Sequence, residues 1–335
     1  MPNVTIKGAV KHFVPKKICV MASGGDAPGM NACMEACFNY ATHLGWQAYV
    51  AIMGYDGLVK DNIVLATRDK CNNISHIAGC VYRCGRSESF ATPQGFQAAI
   101  DTIKRYGFDA VIVIGGNGSF LGLERLKRVG INVIGIPATI DNDVYFTKNS
   151  LGFSSACEAI THHIDLIKTT MQTNERDHLV QVMGRDCSDI ALTVGVATFA
   201  NIIDIIERRH TSEEIARIFT EQQELGNLSC LAVVQEKRPD AETLLKDIQV
   251  ASNNTRVRMD VLGYFQRGAS PSCRDRYLGA SYGVMAVDLV AAKKFGVGIG
   301  LINDDFRIVD LEIANKARPR FNVENYNLIN KIANH

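Results

Sequence analysis

Short apolar runs alternate with stretches of helical period along this chain, and that alternation restricts its fold more than any other feature. The runs lie at Ile18–Ala22, Gln47–Met53, Asp109–Ile114, Ile131–Ile136, Leu179–Met183, Ile202–Ile206, Leu228–Val234, Val257–Leu262 and Val297–Ile302. After the first of them, apolar residues recur at Cys33, Met34, Cys37, Phe38, Ala41 and Leu44, the spacing of one helix face. Further helices are expected over about Gly95–Tyr106, Ser154–Thr170, Ser188–Ala197, Ser212–Gln223, Ala241–Ala251 and Cys273–Lys294. Strands alternating with helices imply an α/β fold in which mainly parallel sheets are covered on both faces. At 335 residues the chain exceeds one ordinary core, and a prior of roughly 150 residues per domain suggests two. The helix near Ser154–Thr170 is the expected point of change. There is no internal repeat and no low-complexity linker.

Composition narrows the function classes. Apolar residues make up 47% of the chain, ample for two cores, and 36 basic against 35 acidic side chains leave a formal charge of +1. Without a basic block, nothing favours nucleic acid or an anionic membrane as partner. No apolar run approaches the roughly 18 residues of a membrane span, and the polar leader lacks a secretory pattern. A soluble, cytoplasmic protein is expected. The ten cysteines show no C-x-x-C and read as reduced thiols. Cys33 with Cys37, or Cys80 with Cys84, could begin a metal site, but no His or Cys pair completes one.

The polar residues at strand ends carry the chemistry. Pro137–Asp143 reads P-A-T-I-D-N-D, placing a hydroxyl, two carboxylates and an amide directly after a buried run. Ligands of open α/β sheets bind where strands end. Asp141 could accept a proton from a hydroxyl nucleophile while Asp143 holds a cation or fixes the substrate, although an Asx-rich turn accounts for the same residues. Ser23–Gly29 and Gly115–Ser119 are glycine loops between a strand and a helix, suited to phosphate because backbone N–H groups and a helix N-terminus converge there. Neither is a Walker A loop, and a tight βα turn is the competing reading. Arg83 and Arg86 flank glycine and cysteine in another loop and could clamp phosphates. In the second half Arg176, Arg185, Arg258 and Arg267 all lie near strand ends, where they could converge as an anion clamp or pair with Glu175, Asp177 and Asp260.

Five stretches in this order resemble the 6-phosphofructokinases of bacterial type over essentially the whole length: S-G-G-D-A-P-G-M-N at Ser23–Asn31, G-G-N-G-S at Gly115–Ser119, P-A-T-I-D-N-D at Pro137–Asp143, M-G-R at Met183–Arg185 and L-G-Y-F-Q-R-G at Leu262–Gly268. The resemblance implies two Rossmann-like three-layer domains. Residues 1–152 with 266–316 would form the larger, nucleotide-binding one, and residues 153–265 with 317–335 the smaller, sugar-phosphate one. It implies transfer of the ATP γ-phosphoryl group to the 1-hydroxyl of fructose 6-phosphate, with Mg²⁺, in a homotetramer. Asp141 would then be the general base, with Thr139 and Asp143 beside it, and Arg185 would neutralise the moving phosphoryl group. Gly25, Gly116, Asn117, Gly118 and Ser119 would cradle nucleotide phosphates, Arg86 would reach them, and Tyr55 would lie near the adenine. Met183, Gly184, Glu236, Tyr264, Gln266 and Arg267 would face the sugar. Arg176 and Arg258 would be lent across a subunit interface to its 6-phosphate.

The departures sharpen the expectation. Asn117 stands where the family usually has a Mg²⁺-serving aspartate, which implies weaker metal binding or slower turnover. Tyr264 replaces a histidine. Pyrophosphate-using relatives tend to read G-G-D-D-S and P-K-T-I-D-N-D; here those positions are Gly118 and Ala138, which favours ATP over pyrophosphate. Glu35, Asn39 and Asn227 replace basic residues of the family's effector site, implying that this regulation is absent or altered. A weakly active, sugar-phosphate-binding regulatory subunit is the reading from a different class.

Overall fold

The computed structural model describes residues 17–144, 146–316 and 323–332; the polar leader, and much of the 317–335 segment, lie outside the described residues. The strands are β1 (Lys17–Ser23), β2 (Gln47–Ala51), β3 (Ile63–Leu65), β4 (Ala110–Gly115), β5 (Val133–Pro137), β6 (His178–Val182), β7 (Ile202–Asp204), β8 (Leu231–Gln235), β9 (Arg258–Val261), β10 (Val297–Ile302) and β11 (Asp305–Asp310). They form a seven-stranded sheet in the order β11-β10-β5-β4-β1-β2-β3 and a four-stranded sheet in the order β7-β8-β6-β9. The smaller sheet is parallel throughout. The larger is parallel in its centre and antiparallel at both edges, where β3 pairs with β2 and β11 with β10.

The unbroken apolarity of the central strands follows from burial on both faces. In β1, Ile18, Val20 and Ala22 enter one core while Cys19 and Met21 enter the core on the opposite face, and β4 divides Ile112 and Ile114 from Val111 and Val113 in the same way. The first of these cores continues through the helix Phe153–Asn174, by way of Ile160, Ile164 and Ile167, to Val180, Val182 and Val233 of the small sheet. A third core, with Phe219 and Ile248, covers that sheet's other face.

Topology fixes where a ligand can sit. The chain leaves β1 for β2 on one side, then returns as β4 on the other side of β1, with Ser23 opposite Gly115. Connections that depart in opposite directions open a crevice beyond the strand ends, at the point where the two glycine loops begin. β5 ends beside them, since Gly115 pairs with Pro137. The segments that follow β6 and β9 supply the facing wall.

Most expected elements form within a few residues of their predicted bounds. Two strands were not expected: β3, inside a region read as irregular, and β11. The helix expected to be amphipathic, Cys273–Ala291, packs one face closely against the helix Met30–His43, with Leu278, Tyr282, Ala286 and Val290 buried.

Candidate active site

Between the two sheets lies a cleft of about 840 Å³. Its floor is the loop that leaves β5. Asn142 adopts a left-handed backbone, φ 54°, and turns the chain so that Asp141 and Asp143, on either side of it, both line the cleft. Thr139 Oγ1 accepts a hydrogen bond from Asp141 N at 3.2 Å, closing an ST-type turn. Asp141 is only 5% exposed, and its Oδ1 has no hydrogen-bond partner. Burial raises its pKa above the ordinary aspartate value of 3.8, against the opposing pull of Arg267 and Arg185. Asp143 is raised too, by burial and then by the charge of Asp141. Two carboxylates thus share one cleft, each favouring a proton or a cation.

The anion-facing wall is built from backbone and arginine. Gly25 permits a close approach: a Cβ there would stand 2.7 Å from Nη1 of Arg267. That guanidinium donates to the Asp26 carbonyl at 3.3 Å and lies 4.0 Å from Asp141 Oδ2, so it bridges the first glycine loop and the carboxylate. Gly116, Asn117, Gly118 and Ser119 line the cleft where the helix Asn117–Arg128 begins. Asn117 Nδ2 donates to the Asp143 carbonyl at 3.0 Å. Arg185 lines the opposite side, its N–H held by Glu236 Oε1 at 2.9 Å and its Nε 3.7 Å from Asp186.

One end of the cleft is walled by aromatic groups. Asp56 accepts from the hydroxyls of Ser87 (2.6 Å) and Ser89 (2.8 Å), which with Lys60 lower its pKa to about 2. Ser87 in turn accepts from Phe90 N. So placed, Phe90 stacks on Tyr55 with ring centroids 4.2 Å apart. Tyr55 is buried and donates to the Ser119 carbonyl at 2.7 Å, so it braces the second glycine loop besides lining the cleft. Arg125 lies over Phe96 and Phe90 and donates to the Phe90 carbonyl.

The expected residues are gathered unevenly. Gly25, Tyr55, Arg86, Gly116–Ser119, Thr139, Asp141, Asp143, Met183, Arg185, Tyr264 and Arg267 all line the cleft. Gln266 does not: it is fully buried, its Oε1 accepting from Met183 N and its Nε2 donating to the Gly263 carbonyl, so it pins the Gly263–Gln266 turn to the end of β6. Gly184 and Glu236 sit behind Arg185 rather than on the lining. The four arginines do not converge within one chain. Arg185 and Arg267 follow the C-terminal ends of strands, whereas Arg176 precedes β6 and Arg258 opens β9, at the opposite end of the small sheet. Nor are the expected ion pairs made: Arg258 Nη1 donates to the carbonyls of Thr255 and Val257, and Asp177 accepts from Cys230 N and Gln223. Arg83, unlike Arg86, does not line the cleft.

Asp26, Ser87, Phe90, Leu121, Gly122 and Arg125 also line the cleft without having been singled out. Leu121 and Arg125 were accessible to sequence reasoning, because they follow Asn117 at successive four-residue steps along one helix face.

An anion cradle facing a buried proton acceptor, across a crevice between two parallel sheets, is the layout of a phosphotransferase, and the chain is an enzyme of that class. Similarity supplies the family: residues 17–290 match the family model described as phosphofructokinase, and the chain belongs to the phosphofructokinase family. It is 33% identical over 318 residues to the ATP-dependent 6-phosphofructokinase of Paenibacillus macquariensis, covering 95% of this chain and 99% of the relative. To the ATP-dependent 6-phosphofructokinase of Lactobacillus delbrueckii subsp. bulgaricus it is 38% identical over 288 residues, 86% of this chain and 90% of that one. Among solved structures, the phosphofructokinase of Saccharomyces cerevisiae superposes with a TM-score of 0.82 at 27% identity; the match covers 95% of this chain and 48% of the yeast chain.

Proposed function

We propose that the protein is an ATP-dependent 6-phosphofructokinase, which phosphorylates fructose 6-phosphate on its 1-hydroxyl. The observation that carries the choice of donor is the shape of the cleft. Past the phosphate-facing loops it continues along Ser87, Phe90, Ala91, Leu121, Gly122 and Arg125, a half-apolar shelf with room for a nucleoside that pyrophosphate would leave empty. A side chain at Gly118 would meet nothing within 4 Å, so the path between shelf and loop is clear.

In this reading the sugar's 1-hydroxyl lies against Asp141, whose carboxylate takes its proton as the oxygen attacks the γ-phosphorus and the bond to the β-phosphate oxygen breaks, ADP leaving. Arg185 and Arg267 offset the charge on the transferring group; Glu236 holds the Arg185 backbone N–H, and the Asp26 carbonyl holds the Arg267 guanidinium itself. The loop Gly116–Ser119 orients the phosphates. Met183 and Tyr264 face the sugar, and Tyr264, 82% exposed, offers a neutral hydroxyl at that rim.

The donor set suits a Mg²⁺ ion that arrives on the nucleotide. Asp143 offers an oxygen ligand in the cleft, and because Asn117 spends its N–H on the Asp143 carbonyl, its amide oxygen is left for a ligand or a bound water. Among the described residues no group of three His, Cys, Asp or Glu could enclose a metal. Phosphate oxygens and waters would therefore complete the shell, as this cation prefers. When bound, the ion supplies neutralisation of phosphate charge; the chain's own groups orient and deprotonate.

Arg176 and Arg258, directed away from the cleft of their own chain, support a homotetramer in which they reach a neighbour's sugar phosphate. The domain division is proposed as 1–152 with 266–316 and 153–265 with 317–335; in its favour, the helix Val323–Ile332 packs on Asp189–Ala197, which covers the small sheet. Among the described residues no helix is long and apolar enough to cross a membrane, which is compatible with a cytoplasmic enzyme.

The test is fructose 1,6-bisphosphate formation by the purified protein with fructose 6-phosphate and Mg²⁺, supplying ATP or pyrophosphate. Product with ATP alone is expected. Product with pyrophosphate alone would overturn the shelf argument, and no product with either would turn the case toward a sugar-phosphate-binding subunit.

A further inference from the structure

Asn142, the central residue of D-N-D, has no access to a reacting atom in the reading above, yet it is the most heavily bonded side chain of the loop. Its Nδ2 donates to the Lys148 carbonyl at 2.9 Å and to Asp189 Oδ2 at 2.8 Å. Its Oδ1 accepts from Ser150 N at 2.8 Å, with the Ser150 hydroxyl 3.1 Å away. That hydroxyl in turn donates to the Thr139 carbonyl at 2.6 Å. Both amide hydrogens and the amide oxygen are therefore used. The backbone requirement is equally narrow, since φ is 54° and only asparagine, aspartate and a few others tolerate that region without being glycine. Aspartate meets the backbone demand but carries no N–H for Lys148 or Asp189.

The bond to Asp189 crosses between the two halves of the molecule. Asp189 opens the helix Asp189–Ala197, four residues after Arg185, on the segment that leaves β6 of the small sheet. Asn142 belongs to the loop that leaves β5 of the large sheet. A second contact joins the same two segments, Cys187 Sγ lying 3.8 Å from the Asn142 carbonyl. Asp141 and Arg185, the base and the charge-neutralising group, sit on these segments, one on either side of the cleft. Their separation is set by whatever ties loop to loop.

We propose that Asn142 and Asp189 form a strap across the base of the cleft, and that Asn142 is a positioning residue which fixes the distance between Asp141 and Arg185. This rests on the phosphofructokinase reading for its kinetic consequence, though not for its structural one. Because a displacement of about 1 Å at a reacting group can cost about 10²-fold in rate, losing the strap lowers kcat far more than it weakens nucleotide binding. The nucleotide shelf takes no bond from the strap, and the Gly116–Ser119 loop meets the D-N-D loop through the Asn117–Asp143 bond rather than through Asn142.

The variants Asn142→Ala, Asn142→Asp, Asp189→Ala and Asp189→Asn test the strap in the full-length protein. The first three are expected to lower kcat by about 10²-fold while the KM for ATP stays within about threefold. Asp189→Asn keeps a carbonyl oxygen to accept from Asn142, and its kcat should stay within about threefold of the parent. Hydrogen exchange supplies a readout that does not depend on turnover: Asn142→Ala and Asp189→Ala should each speed exchange at both 138–143 and 183–189, leaving the helix Met30–His43 unchanged. Unaltered kcat in Asp189→Ala, equal damage from Asp189→Asn, or exchange that rises only around the substituted residue would overturn the proposal. If the parent protein makes no bisphosphate at all, the functional reading fails, and the exchange pattern alone decides the strap.

Discussion

At the scale of single residues, the cleft exchanges stability for chemistry at Asp141. A carboxylate whose pKa is raised by burial binds its proton more tightly folded than unfolded, so it opposes folding once ionised. The penalty is absent below the ordinary value of 3.8, grows as pH rises from there through the raised folded value, and is constant above it. Asp141→Asn should therefore melt at a higher temperature than the parent at pH 7 to 8, with the difference fading as pH falls through the raised value and gone by about 4. The same variant should lose about 10²- to 10⁴-fold in kcat, since the amide cannot take the hydroxyl proton. A variant that is no more stable at neutral pH, or still turns over, would remove Asp141 from its role. Asn117 gives a second test. Restoring a carboxylate by Asn117→Asp should tighten Mg²⁺ dependence, read as a lower metal concentration at half-maximal rate, and an unchanged metal curve would show that the amide oxygen suffices. Asp141 and Asp143 were legible in the sequence because a dense polar segment after a buried strand is conspicuous, and Asn117 because it stands in a glycine loop between strand and helix. Asp189 was not, because it acts through a partner distant in the chain, and spacing along the sequence carries no information about that partner.

At the scale of elements, the clearest readings were of strands buried on both faces, whose runs are apolar at every position. β3 and β11 escaped for the complementary reason. Both are edge strands pairing antiparallel, β3 has three residues, and β11 reads D-F-R-I-V-D with most of its residues partly or fully exposed. Burial on neither face leaves no apolar run to find. The helix Cys273–Ala291 was found, but its close packing was not, because small residues give no hydrophobic signal. Gly279 and Gly283 let it lie directly on the helix Met30–His43: a Cβ at Gly283 would stand 2.6 Å from the Cys33 carbonyl oxygen and 2.8 Å from Ala36 Cβ. Backbone atoms cannot yield as a flexible side chain would. Gly283→Ala should thus destabilise the protein by about 1–3 kcal/mol, seen as a lower denaturant midpoint with an unchanged slope. No shift in the midpoint would mean that the two helices have slack. Glu35 shows the same economy on the outer side of that contact. Its carboxylate accepts from the N–H groups of Asn73, Ile74 and Ser75, at 2.7, 3.0 and 2.8 Å, so donors that could face an external anion are already committed within the chain.

At the scale of the whole molecule, one asymmetry remains to be accounted for. The C-terminal strand ends of both sheets face one cleft, whose groups are the ones proposed above for the nucleotide and the transferring phosphoryl. Arg176 and Arg258 lie at the other end of the small sheet, and Arg176 Nε is buried without a hydrogen-bond partner. If they complete a neighbour's sugar-phosphate site, each active site draws Asp141 from one chain and Arg258 from another. Two separately inactive variants should then complement. Asp141→Ala and Arg258→Ala, each deficient alone, would form mixed assemblies in which one site has both residues intact and its two-fold mate has neither. With random pairing, half of the interfaces are mixed and half of their sites are intact, so activity should recover to roughly a quarter of the parent level. Co-expression of the two chains and measurement of bisphosphate formation reads this directly. Recovery requires a shared site, because no exchange of whole chains can place Asp141 and Arg258 together when each site is built from a single subunit that lacks one of them. Absence of recovery, in assemblies shown to contain both variants, would return Arg258 to its own chain and leave its bonds to Thr255 and Val257 as its whole role.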